Sequence, residues 1–265
     1  MIFFLGFVLL FAFFWVVFLL AEPAMERVLK RTAHWTARFR YRDYVPVVVV
    51  LALGIGATLL AGDAFEDLAE LVHSNSPQLQ QIDARAHDWA AHSRTPGSTR
   101  FFTTMTIIGT PVVLGAAVVL VVAILLVRRR WRWAMYLAFT TGTGSLLNVA
   151  LKTFFARARP DLAVALRHAT GFSFPSGHAM GSTIVFGSLA YLGLRILPTW
   201  RERAAALAFA MSTIIAIASS RIYLGVHWIS DVGAGIAAGL IWVTTTTVAY
   251  ETLRRIRMVR ALRRL

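Results

Sequence analysis

The sequence predicts an all-α, polytopic membrane helix bundle, and three observations predict it. Hydrophobic residues make up 57% of the 265-residue chain and charged residues 15%, against about 45–50% and about 25% in soluble domains. The apolar residues gather into seven stretches, most of them near the roughly 20 residues that a helix needs to cross a bilayer core of about 30 Å. The basic residues sit between those stretches, and 27 Lys+Arg against 13 Asp+Glu give a net charge of +14. In a soluble chain that excess would suggest nucleic acid; here the clustering assigns it to membrane topology, and no nucleic-acid partner is expected. A soluble enzyme, a disordered chain and a disulfide scaffold are excluded. With no cysteine there is no disulfide, thiolate zinc site or cysteine nucleophile, and the redox compartment is unreadable.

Taken in order, the expected spans are Ile2–Leu20, Tyr44–Ala61, Met105–Val127, Trp133–Phe155, Ala179–Leu197, Ala204–Ser219 and Ile229–Tyr250. All must be helices, because in lipid only helices and closed barrels satisfy the backbone. The first is uninterrupted, lacks a basic leader and is followed by basic residues, so it is read as a retained helix rather than a cleaved signal. The second ends at Gly62-Asp63. Residues 63–100 form the long polar stretch, with Phe65, Leu68, Leu71, Val72, Leu79, Ile82, Ala86 and Trp89 at helical spacing. They are expected as amphipathic helices at the membrane surface that shape a lipid entrance.

Charge then orients the bundle. Nineteen basic residues fall in the segment 21–44, in the turns at 128–132 and 195–203 and in the tail 251–265; eight fall on the opposite side. The positive-inside rule places the N-terminus outside and the C-terminus in the cytoplasm. The Arg-rich tail is expected to meet anionic headgroups rather than nucleic acid.

Three polar clusters carry chemistry, and all fall on the outer face of that topology. They are Lys152 with Arg159-Pro160; Pro175-Ser176-Gly177-His178, opening the fifth span; and Ser220-Arg221 followed by His227 and Asp231. Lys152, Arg159 and Arg221 supply positive charge, arginine with a fork suited to oxyanions. Ser176 and Gly177 precede a helix, where free N–H groups and the dipole favour an anion. His178 and His227 can divide the roles of proton donor and nucleophile. Asp231, one turn after His227, can accept an imidazole N–H and fix which nitrogen is free. Such a set suits phosphoryl transfer, with basic residues in place of a metal.

The arrangement Lys-x6-Arg-Pro, Pro-Ser-Gly-His and Ser-Arg-x5-His-x3-Asp resembles the three-part signature of the type 2 phosphatidic acid phosphatase family, which also includes vanadium haloperoxidases. The resemblance implies a six-helix phosphatase core over Tyr44–Tyr250, and the extra N-terminal transmembrane helix is where this sequence departs from that plan. Residues 1–43 would form that helix and a basic cytoplasmic loop, and residues 44–265 the core. It further implies that His227 is the nucleophile of a phosphohistidine intermediate, Asp231 its orienting group and His178 the acid for the leaving group. Lys152, Arg159, Ser176, Gly177 and Arg221 would hold the phosphate, with no cofactor and no metal. The partner would be a phosphorylated lipid in the bilayer: undecaprenyl diphosphate, phosphatidylglycerol phosphate, phosphatidic acid or a lipid A phosphate. The setting would be a bacterial inner membrane, with the site on the periplasmic side. Two rivals are a flippase that binds without cleaving, which would need no oriented nucleophile, and a vanadate-dependent oxidase, whose relatives look soluble.

The remaining polar residues are assigned elsewhere. His34, His73, His87, His92 and His168 are expected at the surface, without a metal set among them. Arg157 and Arg167, beside the motifs, are either auxiliaries for a phosphate or solvated loop charges. Gly142, Gly144, Gly235 and Gly239 are read as packing residues, and Ser176 lacks the G-x-S-x-G elbow of a serine hydrolase.

Overall fold

A computed structural model describes residues 2–21, 45–160 and 165–262. The basic loop from Arg27 to Arg42, His34 within it, and Arg263 and Arg264 of the tail lie outside these residues. The described chain is all-helical: α1 (Ile2–Leu20), α2 (Val45–His73), α3 (Pro77–His92), α4 (Pro96–Ile108), α5 (Pro111–Val127), α6 (Trp131–Phe155), α7 (Gly177–Ile196), α8 (Trp200–Tyr223) and α9 (Ile229–Leu262). Among the described residues α7, α8 and the Ile229–Arg257 part of α9 are each long and apolar enough to cross a membrane, and α4 with α5 makes a fourth span if the bent pair is counted as one. The polar run Thr140-Thr141-Gly142-Thr143-Gly144-Ser145 and Asn148 dilute α6.

Helix ends differ from the sequence reading where local chemistry intervenes. The second span does not stop at Gly62-Asp63: α2 continues to His73, because one mid-helix glycine costs only about 1 kcal/mol relative to alanine and the Ala, Leu and Glu residues that follow favour helix. The span expected over Met105–Val127 is broken. α4 ends at Gly109, Thr110 caps α5 by accepting from Val113 N–H, and Pro111 occupies the first turn; the two helices are bent by 51°. A proline there lacks the N–H that would continue the upstream helix and disfavours helical geometry in the residue before it. α8 starts earlier than Ala204, on a capping box between Thr199 and Glu202, and α9 runs on past Tyr250 to carry part of the basic tail as helix.

α7, α8 and α9 form the centre. Glycines permit the close approach of α9 to α7: a Cβ on Gly235 would lie 2.7 Å from the Ser176 carbonyl oxygen, and one on Gly239 would lie 2.7 Å from Thr183 Cβ. These two positions are packing residues, as read, and so is Gly144, which faces Ile184 and Trp242. Gly142 is different, with nothing within 4 Å of its would-be Cβ. α1 lies against α8, tied by the Trp200 indole N–H to the Phe18 carbonyl at 2.9 Å.

α3 has two faces. Ile82 and Trp89 are exposed, 55% and 70%, whereas Leu79, Asp83 and Ala90 are buried. The apolar stripe read from the sequence is thus divided, and the buried side of the helix carries a carboxylate.

Candidate active site

Each of the three motif segments ends or begins a helix, so side chains from α6, α7, α8 and α9 converge beyond their ends. α6 closes on Ala156, which takes a left-handed conformation (φ 45°) and donates to the Lys152 carbonyl. The chain then turns through Arg157 and Arg159. α7 begins at Gly177, capped by Ser176, whose hydroxyl accepts from Ala179 N–H at 3.5 Å. α8 ends at Tyr223, and Gly225 (φ 75°) turns the chain toward His227 and α9.

The pieces are held by backbone bonds. Ser173 N–H donates to the Arg157 carbonyl at 2.8 Å, Leu166 N–H to Leu224 at 3.0 Å, and Ser176 N–H to Asp231 at 2.9 Å. A cavity of about 750 Å³ opens between α5, α6 and α7, and Lys152, Arg159, Gly177, His178, Arg221 and His227 line it. Ser176 and Asp231 do not; both are fully buried behind the wall, Ser176 as a cap and Asp231 as a support. Gly177 keeps room beside the lysine, since a Cβ there would lie 2.9 Å from Asn148 Oδ1 and 3.6 Å from Lys152 Cε.

The tautomer of His227 follows from its neighbours. Arg159 Nη1 lies 3.1 Å from Nε2, and a guanidinium can only donate, so Nε2 holds a lone pair. Nδ1 then carries the proton and faces Asp231 Oδ2 at 3.3 Å. The free lone pair thus lies on the nitrogen beside Arg159. Burial holds this imidazole below its ordinary 6.5, at about 4, even though the hydrogen bond and charge of Asp231 pull the other way. It is therefore neutral near pH 7. Burial also lowers Arg159, and Asp231 opposes that effect.

Arg159 donates to the carbonyls of Gly171, Thr170, Phe172 and Val226, and Lys152 to those of Phe172 and Ser173. Arg221 donates to the Thr106 hydroxyl of α4. Its Nε is buried without a hydrogen-bond partner beside the cavity, the kind of donor that an anion would satisfy. The bend after α4 contributes too: a Cβ on Gly109 would lie 3.2 Å from His178 Cδ2.

Behind His227 lies a buried polar network that motif reading missed. Asp231 accepts from Trp228 N–H at 2.9 Å, from the Ser173 hydroxyl and from Arg157 Nη1 at 2.7 Å. Arg157 also bonds Asp83 of α3 at 2.8 Å. It is neither a phosphate auxiliary nor a solvated charge. Arg167 is exposed; His168 is exposed too but borders the cavity, and His87 packs against the Trp228 ring at 5.8 Å. Among the described residues no group of three His, Asp or Glu is placed to hold a metal ion.

The cavity changes character along its length. Beyond the charged end it is walled by Leu114, Val118, Val119, Val149, Ile184 and Val185, and Val185 lies about two helical turns below His178. Basic and imidazole side chains at helix ends thus open onto a largely apolar trench between α5, α6 and α7.

Residues 133–255 match the PAP2 superfamily. The chain is 31% identical over 199 residues to phosphatidylglycerophosphatase B of Bacillus subtilis, a match covering 72% of this chain and 93% of that protein. It is 34% identical over 124 residues to a lipid A 1-phosphatase of Rhizobium johnstonii, covering 43% and 47%. The crystal structure of a transmembrane PAP2-type phosphatidylglycerolphosphate phosphatase from Bacillus subtilis superposes with a TM-score of 0.67 at 30% identity, over 72% of this chain and 94% of that one. The chain belongs to the PAP2 superfamily, and it is an integral membrane phosphatase, a phosphoric monoester hydrolase.

Proposed function

We propose that this phosphatase removes a phosphate from a lipid phosphomonoester or diphosphate through a phosphohistidine intermediate, at the outer membrane face. The observation that carries the reading is His227: its Nε2 lone pair faces Arg159 and its Nδ1 faces Asp231, at the charged end of a trench whose far walls are mostly apolar. The phosphate sits among Lys152, Arg159, Arg221 and the N–H groups at the start of α7, and the lipid chain lies between α5, α6 and α7. His227 Nε2 attacks phosphorus, the bond from phosphorus to the lipid oxygen breaks, and His178 gives that oxygen a proton. Water then attacks the phosphohistidine, His178 takes back the proton, and phosphate leaves with His227 restored. The cationic cage stabilises charge on the equatorial oxygens in both steps. Asp231 keeps the imidazole oriented and balances the positive charge that it gains on phosphorylation.

A flippase would need the cage but not the oriented imidazole. Phosphatidylglycerol phosphate, undecaprenyl diphosphate, phosphatidic acid and lipid A phosphate all present the required headgroup on an apolar tail. The distribution of basic residues supports a periplasmic site, with the N-terminus outside and the C-terminus in the cytoplasm. The test is phosphate release by the purified protein from a panel of these four lipids, with sugar and aryl phosphates as controls. Release from a lipid, lost in His227→Ala with the fold retained, supports the proposal; comparable turnover by that variant overturns the phosphohistidine route.

A further inference from the structure

We infer that Asp83, on α3 and outside every motif segment, is a positioning residue for the nucleophile, acting through Arg157 to orient Asp231 and to keep the network behind the imidazole net negative. The inference rests on His227 being the nucleophile, as proposed above.

One guanidinium spans two carboxylates. Arg157 Nη1 holds Asp231 Oδ1 at 2.7 Å, and Nη2 holds Asp83 Oδ2 at 2.8 Å. With Oδ1 so occupied, Asp231 presents Oδ2 to His227, Ser173 and Trp228 N–H. Asp83 has a second hold on the same turn, since its carboxylate accepts from Ser230 N–H at 3.1 Å and from the Ser230 hydroxyl at 2.7 and 2.9 Å. It thereby satisfies an orphan donor in the first turn of α9, where the helix dipole favours an anion. The Arg157 guanidinium also lies 5.9 Å from the centre of the Trp228 ring. Asp83 is only 2% exposed, so its charge acts with little screening by water.

Charge bookkeeping shows why the second carboxylate matters. Asp231 and Arg157 alone sum to zero and would offer little counter-charge to an imidazole that becomes cationic on phosphorylation. Adding Asp83 returns the network to a net charge of −1. The other titratable or charged groups near His227 are Arg159 from the α6–α7 connection, Arg221 from α8 and His178 from α7, with Lys152 of α6 on the same cavity wall, and none of them is an anion. Among the described residues the negative side of the balance rests on Asp231 and Asp83.

The test uses the full-length protein in detergent micelles with phosphatidylglycerol phosphate. Asp83→Asn keeps the shape and a carbonyl acceptor but removes the charge. It should lower kcat about tenfold, the scale of a lost charge-assisted interaction, with KM changed by less than about twofold. The acid limb of the pH profile should move to lower pH, because the protonated imidazole loses counter-charge. Asp83→Glu should recover part of the loss. Arg157→Gln should move the acid limb the opposite way, because a positive charge is removed; this variant carries the test if Asp83→Asn does not fold. Adding Asp83→Asn to Arg157→Gln should change kcat by less than about twofold, since the path through the guanidinium is already gone. An unmoved acid limb in both single variants, or losses that multiply in the double variant, overturns the inference. A lower melting temperature with an unmoved pH profile would make the role purely structural and also overturn it. His227→Ala is run alongside: turnover there would sink the nucleophile assignment, whereas a dead His227→Ala beside an unaffected Asp83→Asn would sink only the role of Asp83.

Discussion

The two ends of α9 hold the same ingredients in different proportions. Near its start, Asp231 is fully buried and bonded to Arg157, with His227 one turn before it. Twenty residues on, Glu251 is 4% exposed and lies within 4 Å of the guanidinium groups of Arg195, Arg254 and Arg255, while the Tyr191 hydroxyl donates to it. At the Glu251 end the arginines close on a carboxylate and the cluster is complete. At the His227 end, among the described residues, Arg159 and Arg221 have no carboxylate within salt-bridge distance. Both line the cavity instead. Clustered arginine alone therefore does not mark this cavity; arginine without a carboxylate partner among the described residues does.

The largest effects should separate the two ends. Arg221→Ala should reduce kcat/KM by about 100-fold or more, the scale of removing a donor aimed at developing charge, without unfolding the protein. Glu251→Gln should do the reverse: a loss of stability of about 1–3 kcal/mol, as expected when buried charges lose their partner, seen as a lower melting temperature with phosphate release preserved. If Glu251→Gln abolished turnover at constant stability, the contrast between the ends would be broken.

Orthovanadate, a tetrahedral oxyanion, should inhibit by occupying the His227 end, and Arg221→Ala should weaken that inhibition about tenfold or more, as loss of a charge-assisted hydrogen bond implies. EDTA should leave activity unchanged; a strict requirement for Mg²⁺ would count against a cage built from Lys152, Arg159 and Arg221. The pH profile sharpens the comparison further. Because burial lowers His227 to about 4, its imidazole stays neutral as pH falls through 6.5, and the limb due to its protonation should appear only as pH approaches 4. An acid limb at 6.5 would show a solvated imidazole. The smallest effect is expected at Arg254, whose partly exposed pair with Glu251 is backed by two further arginines; Arg254→Ala should change stability by less than about 1 kcal/mol.

The motif residues were legible from spacing. Lys152, Arg159, Gly177, His178, Arg221 and His227 line one cavity, because helix ends on one side of a bundle must converge. What was hidden depends on contacts between segments far apart in the chain. Asp83 lies among other acidic residues of a polar stretch, and nothing in that stretch reveals that its side chain meets Arg157. Ser173 and Thr106 are ordinary hydroxyls until folding places them on Asp231 and Arg221. Ser176 is expected from its motif to hold the phosphate, yet its hydroxyl caps α7 and stands behind the cavity wall. The helix between Met105 and Val127 read as continuous because its hydropathy is; Thr110-Pro111 break it by backbone chemistry, which hydropathy does not record.

The length of α9 has a further consequence. At 1.5 Å per residue, the twenty residues from Asp231 to Glu251 span about 30 Å, the thickness of a typical hydrocarbon core. The two buried clusters therefore act as fixed marks on one rigid rod, set a bilayer's width apart. His227, one turn before Asp231, thus lies about one hydrocarbon thickness from Glu251 along the helix axis. A thicker or thinner membrane forces the rod to tilt or the lipid to deform, at a cost of a fraction of a kcal/mol per Å. Acyl-chain length in a reconstituted vesicle is thus the variable that strains this spacing, and a turnover rate that varies with it would show that the two clusters are matched to the bilayer.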